Sequence, residues 1–355
     1  MLRPPLLNER RSAMAGRKTV YNSGLTTPEK IAGINKKNIS LLDDFTDYLK
    51  SVARADTTIK NYKADLLIFF CWCEDYLDNK YFVELTKREI ARFQSHALND
   101  LGWSSNRLRA VKAAISSLSN FIENILDDEI KGFKSIVRKI ESPPKQAVRE
   151  KTVYTEEEIA NLLDELVRRK EYDRACFVAL AAYSGRRKSE LLRFRVDDFT
   201  DDKLVCDGAL YKSAPIKTKG RAGGKYLQCY TLAKKFKPYF DLWMEDRSNR
   251  GIESVWLFPN KEDPSKQMAT STVDGWKDEF TRIGGKDYYP HSQRHGFCTL
   301  LSKNGIPDSV IAEIFGWSSM EMCKVYNDRT GDELIGDYFK NGEIAGSKKN
   351  TLFDN

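Results

Sequence analysis

Ser142-Pro143-Pro144-Lys145 is the stretch that most limits how this chain can fold. Two adjacent prolines lack amide donors and hold the backbone extended, so neither a helix nor a central strand continues through them. The run on to Lys151 is polar and charged, and residues 142–151 read as a stiff interdomain linker. Within 355 residues, each side of that break is long enough for its own core.

Residues 38–141 carry helical periodicity. After a cap at Asn38 or Ser40, Leu41, Leu42, Phe45, Tyr48 and Leu49 share one face. Thr57-Thr58 opens a longer helix through Ile59, Tyr62, Leu66, Leu67, Phe70 and Trp72. Thr86-Lys-Arg-Glu89 is a capping box ahead of Ile90 and Phe93. Ser104-Ser105 starts a further helix with Leu108, Val111, Ile115, Leu118, Phe121, Ile122 and Ile125 inward. Helices of this length and spacing predict a compact bundle. Lys60 and Lys63 follow one helix start, and Arg107, Arg109 and Lys112 follow another. Hydroxyls, amides and cations at helix N-termini suit phosphate contacts. Any one of these residues reads equally well as part of a solvated face; grouped at equivalent ends, they point to DNA.

Residues 1–37 combine paired prolines, small polar residues and scattered cations without periodicity, the pattern of a flexible basic arm or a solubilising tail. The net charge is +7, and residues 1–38 hold eight basic against two acidic side chains, so the body is almost neutral. A nucleic-acid partner would therefore have to be met by cations sorted onto one face.

Beyond the linker, residues 152–340 form the second predicted domain, followed by a tail at 341–355. Thr155-Glu-Glu-Glu158 is a second capping box, and a helix over about 172–183 stops at Ser184-Gly185. Arg187 and Glu190 then stand three apart at a fresh helix start. Short β-like runs between about 203 and 231, broken by Asp-Gly and Gly-Gly, predict a small antiparallel sheet with Lys217, Lys219 and Lys225 around its turn. Helices return at about 233–246 and 271–283. The last sixty-odd residues read as short amphipathic helices: one from Pro290 closed by Gly305, with His291 and Arg294 on its first turn, one capped by Asp308, and one from about Ser319 carrying Tyr326. Asp332 to Phe339 can form one more. The fold class is thus mainly α with a small antiparallel β-sheet in the second domain.

Several function classes drop out. No run reaches the roughly 18 apolar residues of a membrane span, and the N-terminus has no signal-type segment, so a cytoplasmic protein is expected. Phosphate-binding glycine loops are absent, which argues against ATP use. The seven cysteines are scattered and only three histidines accompany them, so reduced, mostly buried thiols are expected and no metal site.

Four strings in order remain: Gly185-x-Arg187-x-Ser189-Glu190-Leu191, His291-x-x-Arg294-His295, Phe315-Gly316-Trp317, and Tyr326 nine residues after Trp317. Over about residues 38–340 this resembles the tyrosine recombinase family, the phage-type integrases and Cre-like recombinases. The resemblance implies a two-domain DNA clamp, a helical SAM-like core-binding domain plus an α+β catalytic domain. It also implies strand cleavage through a 3′-phosphotyrosyl bond and exchange through a Holliday junction, without metal, ATP or other cofactor. The implied partners are double-stranded DNA with specific sites, a homotetramer on DNA from a monomer in solution, and an accessory DNA-bending or directionality factor; the implied place is the nucleoid.

Opening a phosphodiester needs a nucleophile, donors for the phosphoryl oxygens and a proton for the leaving oxygen. The resemblance assigns Arg187 and Arg294 to the oxygens, His291 to orientation and proton transfer, the hairpin lysine to the leaving 5′ oxygen, and Tyr326 to attack. Glu190 would hold Arg187 in place. Lys219 fits the lysine best, with Lys217 next and Lys225 last. Trp317 replaces the family's common histidine, as in Cre-like members, and is expected to pack and hydrogen-bond. Arg186 rivals Arg187, and Tyr288, Tyr289 and Tyr338 rival Tyr326 without its spacing from Trp317. The C-terminal segment is expected to dock on a neighbouring protomer. The expectation is an integrase of a mobile element, against a type IB topoisomerase or a non-catalytic DNA-binding protein on the same fold.

Overall fold

The computed structural model describes residues 24–144, 152–218, 224–340 and 343–344, which fall into two compact units, one on each side of the 145–151 stretch. Most of the expected arm, most of the linker, Lys219 and most of the tail lie outside the described residues.

The first unit begins to fold ten residues earlier than the periodicity suggests. Helix α1 (Pro28–Gly33) starts with Pro28 in its first turn, and the Thr27 side chain accepts from the Lys30 amide. Helix α2 (Lys36–Ser51) is capped by Asn35. Asn38, expected as a cap, is buried: its side-chain oxygen accepts from the Phe82 amide at 2.8 Å and its nitrogen donates to the Lys80 carbonyl at 2.9 Å. A buried amide with both ends satisfied can be kept inside a core. Helix α3 (Asp56–Tyr76) starts one residue before the expected threonines. Helices α4 (Lys87–Asn99) and α5 (Ser105–Ile125) carry the capping box at Thr86 and the cap at Ser104 that their sequences predict. Leu66, Phe69, Phe70, Phe82, Ile90 and Ile115 are fully buried between them. Each ring so buried contributes about 1.5–3 kcal/mol.

The second unit is built around α7 (Tyr172–Ser184), whose residues from Ala175 to Ser184 are all buried. A helix apolar on every side must lie inside its domain. Packed around it are α6 (Glu156–Arg168), α9 (Ala233–Asn249) and α11 (Pro290–Lys303). Helix α7 ends at Gly185 with φ +61°, where a β-carbon would stand 2.7 Å from both Phe297 and Phe315. Only glycine allows the turn that delivers Arg187 and α8 (Lys188–Leu191) to the site.

The expected sheet is two separate antiparallel pieces. Strands β1 (Leu204–Val205), β2 (Leu210–Lys212) and β5 (Tyr230–Leu232) form one in the order β1-β2-β5. Strands β3 (Ile216–Lys217) and β4 (Tyr226–Leu227) form a hairpin, pairing Ile216 with Leu227 and Lys217 with Tyr226. Helices α10 (Thr270–Gly284), α12 (Asp308–Phe315), α13 (Glu321–Tyr326) and α14 (Gly331–Gly336) complete the unit, with a short pair β6 (Phe339–Lys340) and β7 (Glu343–Ile344) after them. Asp308 opens α12 from inside its first turn, with Pro307 in the cap position. No helix among the described residues is long and apolar enough to cross a membrane.

Candidate active site

Helices α11, α12 and α13 bring four of the predicted residues together. His291 and Arg294 sit on the first turn of α11, and Tyr326 ends α13 with its hydroxyl 3.3 Å from His291 Nε2. Trp317 follows the left-handed turn at Gly316, and its indole stacks on the Tyr326 ring at 5.0 Å and 22°. Arg294 is wholly buried: its guanidinium lies over Phe315, Trp317 and Tyr326 at 4.5, 5.2 and 5.4 Å, and Nη1 donates to the Gly185 carbonyl at 2.9 Å. The Arg294 Nε and Nη2 atoms and the Trp317 Nε1 are buried without a hydrogen-bond partner among the described residues. Buried donors left unpaired are costly, so their concentration beside one tyrosine marks a place built to receive an acceptor-rich group.

The electrostatics agree with that. Burial, then Arg187 and Arg186, pushes the Arg294 guanidinium down to about 10. It remains cationic at neutral pH. His291, exposed at the start of α11, is still held below its ordinary value, by partial loss of solvent first and then by His295, Arg294 and Arg187, so the imidazole is neutral at neutral pH and able to accept a proton.

Arg187 is half exposed. Glu190, almost wholly buried, accepts from the Arg187 Nη1 at 2.9 Å and from its amide at 3.0 Å. The pair fixes the guanidinium at the edge of the site. Arg186 is buried over Phe315 and donates to the Ile314 carbonyl, an internal brace. Tyr288 is fully buried, the Tyr289 hydroxyl donates to Asp287, and Tyr338 is exposed. Of the four tyrosines weighed, Tyr326 is the one beside His291.

Three lysines stood in question. Lys219 lies outside the described residues. Lys217 is exposed on β3 opposite Tyr226. The Lys225 Nζ donates to the Gly316 carbonyl at 2.9 Å, tying β4 to the turn before Trp317.

The basic group of the first unit is only partly what its spacing suggests. Lys60 is exposed, and Lys63 is exposed 3.3 Å from Asp43. Arg107 donates to the buried Asp65 at 2.6 Å, and Arg109 donates to the Pro143 carbonyl at 2.9 and 2.7 Å. Lys112 is corrected outright: it is buried and donates to Gln94 Oε1 and to the carbonyls of Ile140 and Glu141. Two of these bonds pin the chain just before Pro143 and the third ties Lys112 to α4. An ammonium so enclosed has no face for DNA.

His295 belongs to the site and was not among the predicted site residues. Its ring lies 4.6 Å from that of Tyr326, and its Nδ1 stands 3.6 Å from Asp328 Oδ2. The adjacency Arg294-His295 was visible, but the Asp328 partner lies 33 positions away and only the fold discloses it.

Residues 152–332 match the phage integrase family, and residues 41–132 match the phage integrase N-terminal SAM-like domain. The chain therefore belongs to the phage integrase family of tyrosine recombinases. It is 29% identical over 274 residues to the SPbeta prophage-derived recombinase-like protein YomM of Bacillus subtilis (strain 168), covering 76% of this chain and 79% of that protein. It is 27% identical over 315 residues to tyrosine recombinase XerC of Caldanaerobacter subterraneus subsp. tengcongensis, covering 83% and 84%. Among solved structures it shares its fold with the XerH site-specific recombinase bound to palindromic difH substrate (TM-score 0.59, 18% identity, 78% of each chain). It shares it also with a lambda integrase tetramer bound to a Holliday junction (TM-score 0.60, 14% identity, 93% of this chain and 90% of that one).

Proposed function

We propose that this chain is a site-specific recombinase of a mobile element, which cleaves and rejoins double-stranded DNA through a covalent bond from Tyr326 to a 3′ phosphate. The observation that carries the reading is the Tyr326 hydroxyl 3.3 Å from His291 Nε2, beside the unpaired buried donors of Arg294 and Trp317. In this reading the Tyr326 oxygen attacks phosphorus and its proton passes to the neutral His291. Arg294 Nε and Nη2, Trp317 Nε1 and the Glu190-held Arg187 donate to the phosphoryl oxygens as charge builds on them. The bond from phosphorus to the 5′ oxygen breaks, and Lys219 supplies the proton to that oxygen. The phosphotyrosine conserves the bond, so a 5′ hydroxyl from another strand reverses the step without ATP. Two rounds through a Holliday junction complete an exchange. Supporting the assembly are the DNA-bound dimers and tetramers of the similar integrase structures and the exposed Leu334, Ile335 and Tyr338 of the C-terminal segment, an apolar edge suited to a neighbouring protomer. In solution without DNA the chain is a monomer, and inside the cell it works on the nucleoid with an accessory factor setting direction.

A duplex nicked beside the cleavage site traps the intermediate because the short released strand diffuses away. A covalent protein–DNA adduct formed by the natural chain and lost in Tyr326→Phe is the expected result. DNA retarded without any adduct would leave a binding protein. Relaxation of any supercoiled plasmid without transfer between two specific sites would leave a topoisomerase.

A further inference from the structure

A recess of about 450 Å³ lies in the second unit, lined among others by Arg193, Arg195, Lys217, Tyr226, Trp256 and Gln267. Its walls come from two antiparallel pairs of the same design. Along residues 194–196 the backbone runs against 255–257: Val196 bonds Val255 and Leu257 bonds Phe194, each at 3.0 Å. Alternation then sends Phe194 and Leu257 into the core and Arg193 and Arg195 outward. Arg195 pairs across from Trp256, its guanidinium 5.4 Å from the indole. In the hairpin, Lys217 pairs across from Tyr226, which is 56% exposed. The Arg193 Nη1 donates to the Lys217 carbonyl at 2.6 Å and locks the two pairs together. Each wall thus offers one cation and one aromatic face.

Arg193, Arg195 and Lys217 take part in no ion pair among the described residues. Among the described residues the one carboxylate lining the recess, Asp198, is buried and accepts from the amides of Arg195 and Ala214 at 2.8 and 2.7 Å. The recess is therefore net cationic, with the exposed Tyr226 ring on one wall and the Trp256 ring under Arg195 on the other. Leu227, which points to the opposite face of β4, would meet a β-carbon on Gly316, so the recess and the turn before Trp317 lie on opposite sides of one hairpin.

We propose that this recess binds the backbone of duplex DNA, a phosphate between the three cations and the apolar face of the adjoining sugar against Tyr226. A carboxylate of an acidic peptide would use the cations but leave the Tyr226 ring idle, whereas a phosphate with its sugar uses both. The proposal rests on the reading that the chain acts on DNA, and assigns a contact distinct from the Tyr326 site.

The test uses the full chain carrying Tyr326→Phe, so that binding is measured without cleavage. Anisotropy of a labelled duplex containing the recombination site is titrated over a salt series. Arg193→Gln with Arg195→Gln is expected to weaken binding at least about tenfold and to lower the salt slope by about two phosphates. Tyr226→Ala is expected to weaken binding about threefold with the slope unchanged, since an apolar contact with a sugar releases no counterions. Melting temperatures equal to the parent's guard against misfolding, and Arg195→Lys, which keeps the charge, should retain the parent slope. Unchanged affinity and slope in folded variants would overturn the proposal. So would displacement of the duplex from the parent, but not from the double variant, by a glutamate decamer as effectively as by an oligonucleotide. The adduct assay on the natural chain is read separately: its failure would remove the Tyr326 chemistry and leave the recess result standing.

Discussion

Lys225 Nζ donates to the Gly316 carbonyl at 2.9 Å, which makes the β3–β4 hairpin and the turn ahead of Trp317 one mechanical unit. The Leu227 side chain completes the joint: a β-carbon on Gly316 would stand 2.4 Å from its Cδ1, and Gly316 itself has φ +65°. Gly316→Ala meets both a left-handed backbone, costing about 1–2 kcal/mol, and a clash that pushes the hairpin away. Trp317 and the stacked Tyr326 should shift with it. The expected outcome is a lower melting temperature and a fall in adduct formation of at least about tenfold, with duplex affinity changed less. Adding Leu227→Ala removes the clash but not the strain, so the double variant should regain part of the lost stability. Full additivity of the two changes would show that the joint does not exist.

Arg294 illustrates a site kept at the expense of stability. It is wholly buried, with Nε and Nη2 unpaired, and its counter-charge Glu190 is hydrogen-bonded to Arg187. Each unpaired donor on this desolvated cation costs about 1–3 kcal/mol, and an apolar side chain of similar length removes that cost while Glu190 keeps its bond to Arg187. Here the Gly185 carbonyl loses a donor, which offsets about 1 kcal/mol of that gain. Arg294→Met is therefore expected to melt at or above the parent temperature while forming no detectable adduct on the nicked duplex. A variant that unfolds several degrees earlier would mean that Arg294 is chiefly structural.

Much of this site was legible because its residues sit at fixed offsets on short helices. His291 and Arg294 share a turn, and the glycines at 185 and 316 announce where the backbone must reverse. What the pattern could not supply was direction in space. Lys112 follows a helix start as Arg107 does, yet it faces inward, because the chain before Pro143 returns over α5 and presents two carbonyls to it. Asn38 looks like a cap, but the Phe82 amide arriving from 44 positions away claims its side chain. Residues 28–37 lack apolar periodicity and still fold, since α1 packs on α3 and local polarity says nothing of that contact. His295 and Asp328 meet only through the crossing of α11 with the chain that follows α13. Each miss is a tertiary contact overriding a local signal.

The pH profile follows from His291. Its folded value lies below the ordinary 6.5, through partial loss of solvent first and then the charges of His295, Arg294 and Arg187. As pH falls through 6.5 the unfolded chain takes up this proton before the folded one, so the folded state loses stability on the acid side and gains nothing from this group above it. Activity follows the same sign: His291 stays neutral, and able to take the Tyr326 proton, below the pH at which a free imidazole would be charged. Single-turnover adduct formation should show an acid limb with a midpoint below 6.5, and His291→Gln should lower the rate and abolish that limb. A midpoint at or above 6.5 contradicts the assignment.

The placing of His295 and Asp328 beside Tyr326 predicts that they act on it by position. The His295 ring lies against the Tyr326 ring at 4.6 Å, tilted by 41°, and Asp328 faces its Nδ1 from 3.6 Å while the Asp328 amide donates to Thr299 Oγ1 at 3.0 Å. The Tyr326 ring thus touches both the Trp317 indole and the His295 imidazole, which faces the Asp328 carboxylate. Asp328→Asn keeps the shape of the brace and removes its charge. It is expected to slow adduct formation about tenfold, the cost of an attacking oxygen that wanders from line, with duplex affinity unchanged. His295→Ala opens space beside the ring and should slow it further, while His295→Gln, which keeps a polar group of similar reach, should recover part of the rate. If Asp328→Asn weakened duplex affinity by the same factor as it slowed cleavage, the pair would be a DNA contact rather than a brace on the nucleophile.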